Sequence, residues 1–218
     1  MSEEHTRHRI LLAAGEAFAE TGLTGTTVRE ICRRADVNTA AVNYHFRDKE
    51  NLYRESIMFA HSEKVTQFPM PNLPPNATPT DRLYAFVLTM AKRLLGTTEM
   101  SWQTSLLFRE MFHPTGVCRE LVEDFIRPHF QMLKAVIIDL TPRELSPLEL
   151  HQASFSVIGQ VHFYKINRPV TEMLVSTEML DDLFEPEQIA RHITQFTVNA
   201  IQQGQVSVPQ MTAPRRLS

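Results

Sequence analysis

Apolar residues recur at spacings of three and four along almost the whole chain, and alternating runs rich in Val, Ile and Thr are nearly absent. That is the period of an amphipathic helix, so the chain is expected to be all-α. One segment breaks the pattern. From Phe68 to Pro79, five prolines (Pro69, Pro71, Pro74, Pro75 and Pro79) leave too few free amides for a helix. Residues 68–79 are therefore read as a linker. It separates residues 1–54, with a connecting helix continuing to about 67, from a larger helical unit over 80–204; residues 205–218 are read as a disordered tail.

Composition excludes more than it selects. With 218 residues, 43% of them hydrophobic, the chain can bury a real core. Apolar runs are short and charges interrupt every longer window, so neither a secretory signal nor a membrane span is expected, and the chain is placed in the cytoplasm. Cys32 and Cys118 lie far apart inside helical patterns, as small buried hydrophobes do; no metal site, catalytic residue or cofactor is read from the sequence. A net charge of −3 says nothing in favour of a nucleic-acid partner, so any such case must come from local arrangement.

In the larger unit, Thr80 is read as the cap of a helix with a Leu83, Val87, Met90, Leu94 stripe, and Gly96 as its left-handed stop. Helices are expected over Ser101 to Phe112 and from Val117 to Leu140, with Pro128 kinking or breaking the second near Arg127. Ser146, Pro147 and Glu149 form a capping box with proline at the first helical position. Pro186 opens a last helix, and Gly204 stops it.

The N-terminal unit carries the more specific pattern. Ile10, Ala14, Ala17 and Phe18 share one helical face, and Gly22 and Gly25 frame a turn. Thr27 then caps a short helix, with Glu30 three residues on, that turns Val28, Ile31 and Cys32 inward and Arg29, Arg33 and Arg34 outward. After Ala35-Asp36-Val37, Asn38 caps a second short helix from Thr39 to Phe46. Two short helices about a tight turn make a helix-turn-helix, whose second helix presents its first residues to base edges in the major groove. His5, Arg7, His8 and Arg9 are either an arm reaching the backbone or minor groove, or a frayed basic end.

The runs Thr27-Val28-Arg29-Glu30-Ile31, Ala35-Asp36-Val37 and Tyr44 to Leu52 resemble the TetR family signature, over roughly residues 7–54. The resemblance implies an N-terminal three-helix helix-turn-helix domain followed by a larger helical ligand-binding and dimerisation domain. It implies that Thr27, Tyr44, His45 and Lys49 hold phosphates, while Arg29, Thr39, Ala40 and Asn43, beside the cap Asn38, face bases. The chemistry agrees: Asn43 can pair with adenine, Arg29 with guanine, and Ala40 can touch a thymine methyl. Asp36 departs from the family, which usually has glycine there; aspartate tolerates a positive φ better than most residues do.

The run Phe108 to Thr115, with Arg127-Pro128 and Ile158-Gly159-Gln160, resembles the CecR-type branch of the same family. Family implications are a homodimer formed through 147–163 and 187–203, a palindromic double-stranded DNA operator, and an unidentified small-molecule effector. Candidate effector contacts are Trp102, Phe108, Phe112 and Phe155, with Arg109, His113 and His162 as polar anchors, although helical spacing alone also explains the aromatics as core. The resulting reading is a ligand-responsive repressor. Its alternatives are a helical-bundle metalloenzyme built on Glu110 and His113, and a helical adaptor that does not bind DNA.

Overall fold

The structure is a computed structural model that describes residues 3–96 and 101–202, all of it helix and connecting loop. The tail at 205–218 and the stop at Gly204 lie outside the described residues. The N-terminal unit comprises α1 (Glu3–Gly25), α2 (Val28–Ala35), α3 (Thr39–Phe46) and α4 (Lys49–Gln67). Beyond the proline-rich segment follow α5 (Pro79–Leu95), α6 (Trp102–Phe112), α7 (Val117–Leu121), a π-helical turn (Val122–Ile126) and α8 (Arg127–Leu140). The chain continues as α9 (Pro147–Ile166), α10 (Arg168–Leu174), α11 (Thr177–Phe184) and α12 (Pro186–Gln202).

Local chemistry sets the ends of these helices, not always at the expected residue. Helix α5 begins at Pro79 because Thr78 and Asp81 close a reciprocal capping box, so Thr78 displaces Thr80 as the cap. Gly96 keeps a right-handed φ of −59° and is not the left-handed stop that its position suggested. Near Arg127 the expected interruption takes the form of a change of helix type: the π-helical turn ends at Ile126 and α8 opens at Arg127. The missing amide falls in the first turn of α8, directly after the wider π turn, and that irregularity absorbs it. The Ser146–Glu149 box opens α9 as its sequence dictates. Helices α10 and α11, short and with apolar side chains left in solvent, carry too little periodicity to be read in advance.

Two apolar cores form, and the proline-rich segment that divides the sequence does not divide them. The first joins Ile10, Ala14 and Phe18 of α1, Ile31 and Val42 of α2 and α3, and Leu52 and Ile57 of α4. It also takes in Leu106 of α6 and Leu121 of α7, which lie beyond that segment. The second core packs α5, α8, α9 and α12 around Leu83, Val87, Leu133, Ile137 and Ile193.

The contact between α1 and α6 is close and polar as well as apolar. Trp102 lies flat on Gly15: a methyl built there would come within 2.6 Å of Trp102 Cη2. Gly22, at φ 76°, breaks the α1 geometry near its end, and Arg109 fits against it. Arg109 donates from Nη2 to the Glu20 carbonyl at 2.8 Å and from Nε to the Ala19 carbonyl at 3.2 Å. These are α1 carbonyls near the break, which a guanidinium satisfies well. Deeper in, the Tyr53 hydroxyl of α4 donates to the buried Glu110 carboxylate of α6 at 2.8 Å.

The Gly15–Trp102 packing gives the first prediction. In an open helix, Gly15→Ala would add about 1 kcal/mol of stability. Here it is expected to cost about 1–3 kcal/mol through overpacking, lowering the melting temperature by roughly 2–12 °C. Thermal unfolding of the variant, with and without Trp102→Leu, checks this; a raised melting temperature in the single variant would contradict the packing.

Candidate nucleic-acid interface and effector cavity

Each short helix of the N-terminal unit is capped by the side chain that precedes it. Thr27 Oγ1 accepts from the Glu30 amide at 3.2 Å, Asn38 Oδ1 from Ala41 at 2.9 Å, and Asp48 Oδ1 from Asn51 at 2.7 Å. The turn between α2 and α3 passes through Asp36 at φ 52° and ψ 54°, a left-handed conformation, and Arg9 Nη2 donates to its carbonyl at 3.2 Å. Arg47 also has a positive φ, 67°, at the end of α3. Val42 and Phe46 are fully buried, so the opposite face of α3 is turned outward.

That outward face and the start of α2 hold the residues singled out for DNA. Thr27, Arg29, Asn38, Thr39, Ala40, Asn43 and Tyr44 are exposed; His45 and Lys49 are half-buried. Lys49 Nζ donates to the Thr26 carbonyl at 3.3 Å, tying the start of α4 to the turn before α2. Tyr44, 73% exposed, stands edge-on to His45 and hydrogen-bonds the Glu3 carboxylate, which raises the pKa of its phenol.

The basic residues of α2 separate into two kinds. Arg33 and Arg34 both hold the Glu30 carboxylate, and Arg34 also holds Glu20 through two bonds of 2.7 Å. Bonding to Arg33 and then Arg34 keeps the Glu30 carboxyl at a pKa of about 2. Arg29 makes no ion pair among the described residues, so its guanidinium is the α2 charge left for a ligand. His5, Arg7, His8 and Arg9 form no arm: they lie within α1. Arg7 pairs with Glu55 and covers the Phe46 ring, and His8 packs edge-on against Phe59.

The candidate effector contacts scatter. Trp102 and Arg109 face α1, as described above, and serve the packing of the two units. His113 is exposed at the C-terminal cap of α6. Phe112 is exposed but stacks on Phe108 with ring centroids 5.9 Å apart; Phe155, 59% exposed, stacks on Phe130 at 5.4 Å. Of these residues, only Phe108 and His162 line a cavity of about 320 Å³ between α4, α5, α6, α8 and α9.

The polar lining of that cavity comes largely from helices whose spacing carries no sign of a site. His61 and Lys64 enter from α4, Arg93 from α5 and His129 from α8. His129 Nδ1 lies 2.7 Å from the Phe125 carbonyl oxygen and so carries the ring proton, leaving Nε2 to accept from Arg93 Nη1 at 3.1 Å. Arg93 Nε donates to the Phe68 carbonyl at 2.9 Å. The His61 ring packs 4.1 Å from Phe125, and burial, followed by the charge of Arg93, lowers its pKa to about 4. The one sequence signal was the three-residue spacing of His61 and Lys64 on a single helix face, and it reads equally as a solvated stripe.

Glu110 and His113 do not assemble as half of a metal site. Both oxygens of Glu110 are occupied, one by Tyr53 and the other by the amide and hydroxyl of Thr115 at 2.8 Å each. Among the described residues no group of three or more His, Cys, Asp or Glu side chains is placed to hold a metal ion. No described helix is long and apolar enough to cross a membrane.

An exposed recognition edge on a capped two-helix turn, locked to a helical unit with an internal cavity, defines a helix-turn-helix regulator. Residues 10–55 match the profile of bacterial regulatory proteins of the tetR family. Residues 79–201 match that of the HTH-type transcriptional dual regulator CecR, C-terminal domain. The chain belongs to the TetR family of transcriptional regulators, with a C-terminal domain of the CecR kind. It is 22% identical over 215 residues to the HTH-type transcriptional dual regulator CecR of Shigella flexneri, covering 92% of this chain and 93% of that protein. Its fold is similar to a tetR-family regulatory protein from Rhodococcus RHA1 (TM-score 0.66, 19% identity, covering 90% of this chain and 96% of that one). It is also similar to AibR, solved with isovaleryl coenzyme A and operator DNA (TM-score 0.63, 18% identity, covering 88% and 97%).

The pairing of the α2 charges predicts unequal roles. Arg29→Ala is expected to weaken DNA binding by about tenfold or more, whereas Arg33→Ala, whose guanidinium is already engaged by Glu30, changes it by no more than about threefold. Fluorescence anisotropy with a bound DNA fragment measures both; equal losses would contradict the distinction.

Proposed function

We propose that this chain is a cytoplasmic, non-enzymatic, ligand-responsive repressor that binds a palindromic operator as a homodimer. The observation that carries the reading is the outward edge of α2 and α3, where Arg29, Thr39, Ala40 and Asn43 stand exposed on a rigidly capped turn. Those side chains suit base edges, while Thr27, Tyr44, His45 and Lys49 flank them with donors for phosphate oxygens. AibR, of similar fold, was solved with operator DNA and a coenzyme A thioester, which supports one site for DNA and another for a small molecule.

The dimer follows from what α9 leaves bare. Leu148, Phe155, Phe163 and Ile166 are exposed at helical spacings on α9, Phe196 is exposed on α12, and open space surrounds Gly159. Pairing α9 and α12 across a two-fold axis buries these apolar groups and sets two recognition helices for half-sites one DNA turn, or a multiple, apart. Helix α4 supplies the route for a signal: its first residue, Lys49, is at the DNA edge and Lys64 in its last turn is in the cavity. A ligand that prefers one setting of α4 shifts the population toward that setting and changes the half-site spacing.

Selection of bound fragments from random DNA is expected to enrich a palindrome. Against it, Asn43→Ala is expected to relax preference at one base of each half-site, and Lys49→Ala to weaken all sequences alike with a shallower salt dependence. A failure to enrich any palindrome, or identical sequence-independent losses for both variants, would overturn the reading.

A further inference from the structure

The cavity between α4, α5, α6, α8 and α9 has a charge pattern at odds with its apolar walls. Lys64 and Arg93 line it, each only 8% exposed, and no Asp or Glu is among its described lining residues. Neither cation makes an ion pair among the described residues. A third buried cation, Lys165 of α9 at 3% exposed, stands near enough to Lys64 for their charges to repel. His61 adds a buried Nδ1 that has no hydrogen-bond partner among the described residues.

A buried charge normally arrives with its counter-charge, since desolvating an ion without a partner is among the most destabilising things a fold can do. Here burial depresses the pKa of Lys64 and of Arg93, and among the described residues no carboxylate of the cavity wall opposes it. Most of the remaining wall is apolar, including Phe86, Met90, Leu107, Phe108, Phe130 and Val161. Arg93 is held in place by the Phe68 carbonyl and His129, so it is oriented before any ligand enters.

We propose that the cavity binds an amphipathic anion, an apolar body carrying one carboxylate that Lys64 and Arg93 hold between them. The proposal rests on the reading of this cavity as the effector site and adds the chemical class of the effector. A carboxylate suits a wall with two buried cations better than a phosphate dianion does, because the rest of the wall offers mostly hydrocarbon. The alkyl or aryl body occupies the phenylalanine, methionine and leucine surface, and the Thr104 hydroxyl and His61 ring lie in the same wall.

The test is isothermal titration of the full-length protein with octanoate, octanol, octylammonium and octyl phosphate, which share one tail and differ in the head. Octanoate is expected to bind at least about tenfold more tightly than octanol, and octylammonium more weakly than both. Lys64→Met is expected to remove that preference, bringing octanoate and octanol within about twofold of each other. The variant should melt no lower than the wild type, since it replaces a buried unpaired charge with a side chain of similar length. Octanol binding as tightly as octanoate, a preference that survives Lys64→Met, or binding of none of the four would overturn the anion assignment. Tighter binding of octyl phosphate would replace the carboxylate with a phosphate. The same titrations are repeated with a bound DNA fragment. If octanoate is preferred but leaves DNA affinity unchanged, the anion site stands and the effector reading fails; if octanol alone binds and releases DNA, the reverse holds.

Discussion

The close approach of α6 to α1 is the constraint on which the rest of this molecule depends. Gly15 has no side chain, and the Trp102 ring takes that space. Arg109 satisfies carbonyls at the end of α1, and Tyr53 and Glu110 share a hydrogen bond inside the seam. Burial, and then the bond to Glu110, pushes the Tyr53 phenol well above its ordinary pKa. A buried carboxylate without its donors would be costly, so Glu110 fixes the mutual placement of α4, α6 and the Thr115 turn. The recognition helices therefore do not hang from a flexible tether. Their core is completed by side chains from the unit that encloses the cavity.

This arrangement gives α4 its mechanical meaning. One end of the helix is capped by Asp48 and carries Lys49 beside the recognition edge; the other carries Lys64 into the cavity. Between them Leu52, Tyr53 and Ile57 are locked into the shared core. A change at the cavity end is not absorbed by loop motion, because close-packed interiors transmit displacement. Lys64 in the cavity wall and Lys49 beside the turn before α2 thus stand at opposite ends of one helix.

What the sequence reveals follows from the range of the interactions. The caps at Thr27, Asn38 and Ser146 act over three residues, so spacing alone discloses them. The positive φ at Asp36 is legible for the same reason, since a turn of that length between two caps demands it. The start of α5 shifted by two residues because Thr78 and Asp81 make a better box than Thr80 can, a competition that propensity leaves undecided. Trp102 and Arg109 read from the sequence as effector contacts and not as α1 contacts, because their partners lie some ninety residues away in sequence. His61, Lys64, Arg93 and His129 were invisible for a related reason. On each helix they occupy positions that read as solvent-facing, and only the packing of α4, α5 and α8 turns those positions toward a common space.

The most direct test of the central claim, that the cavity-bearing unit sets the recognition helices through the α1–α6 seam, is operator affinity of full-length Arg109→Ala. Arg109 is remote in sequence from every proposed DNA contact but holds the end of α1. The account predicts a loss of about fivefold or more, spread evenly over all base positions and with an unchanged salt slope. An affinity within about twofold of wild type, in a variant whose melting temperature has nonetheless fallen, would contradict it.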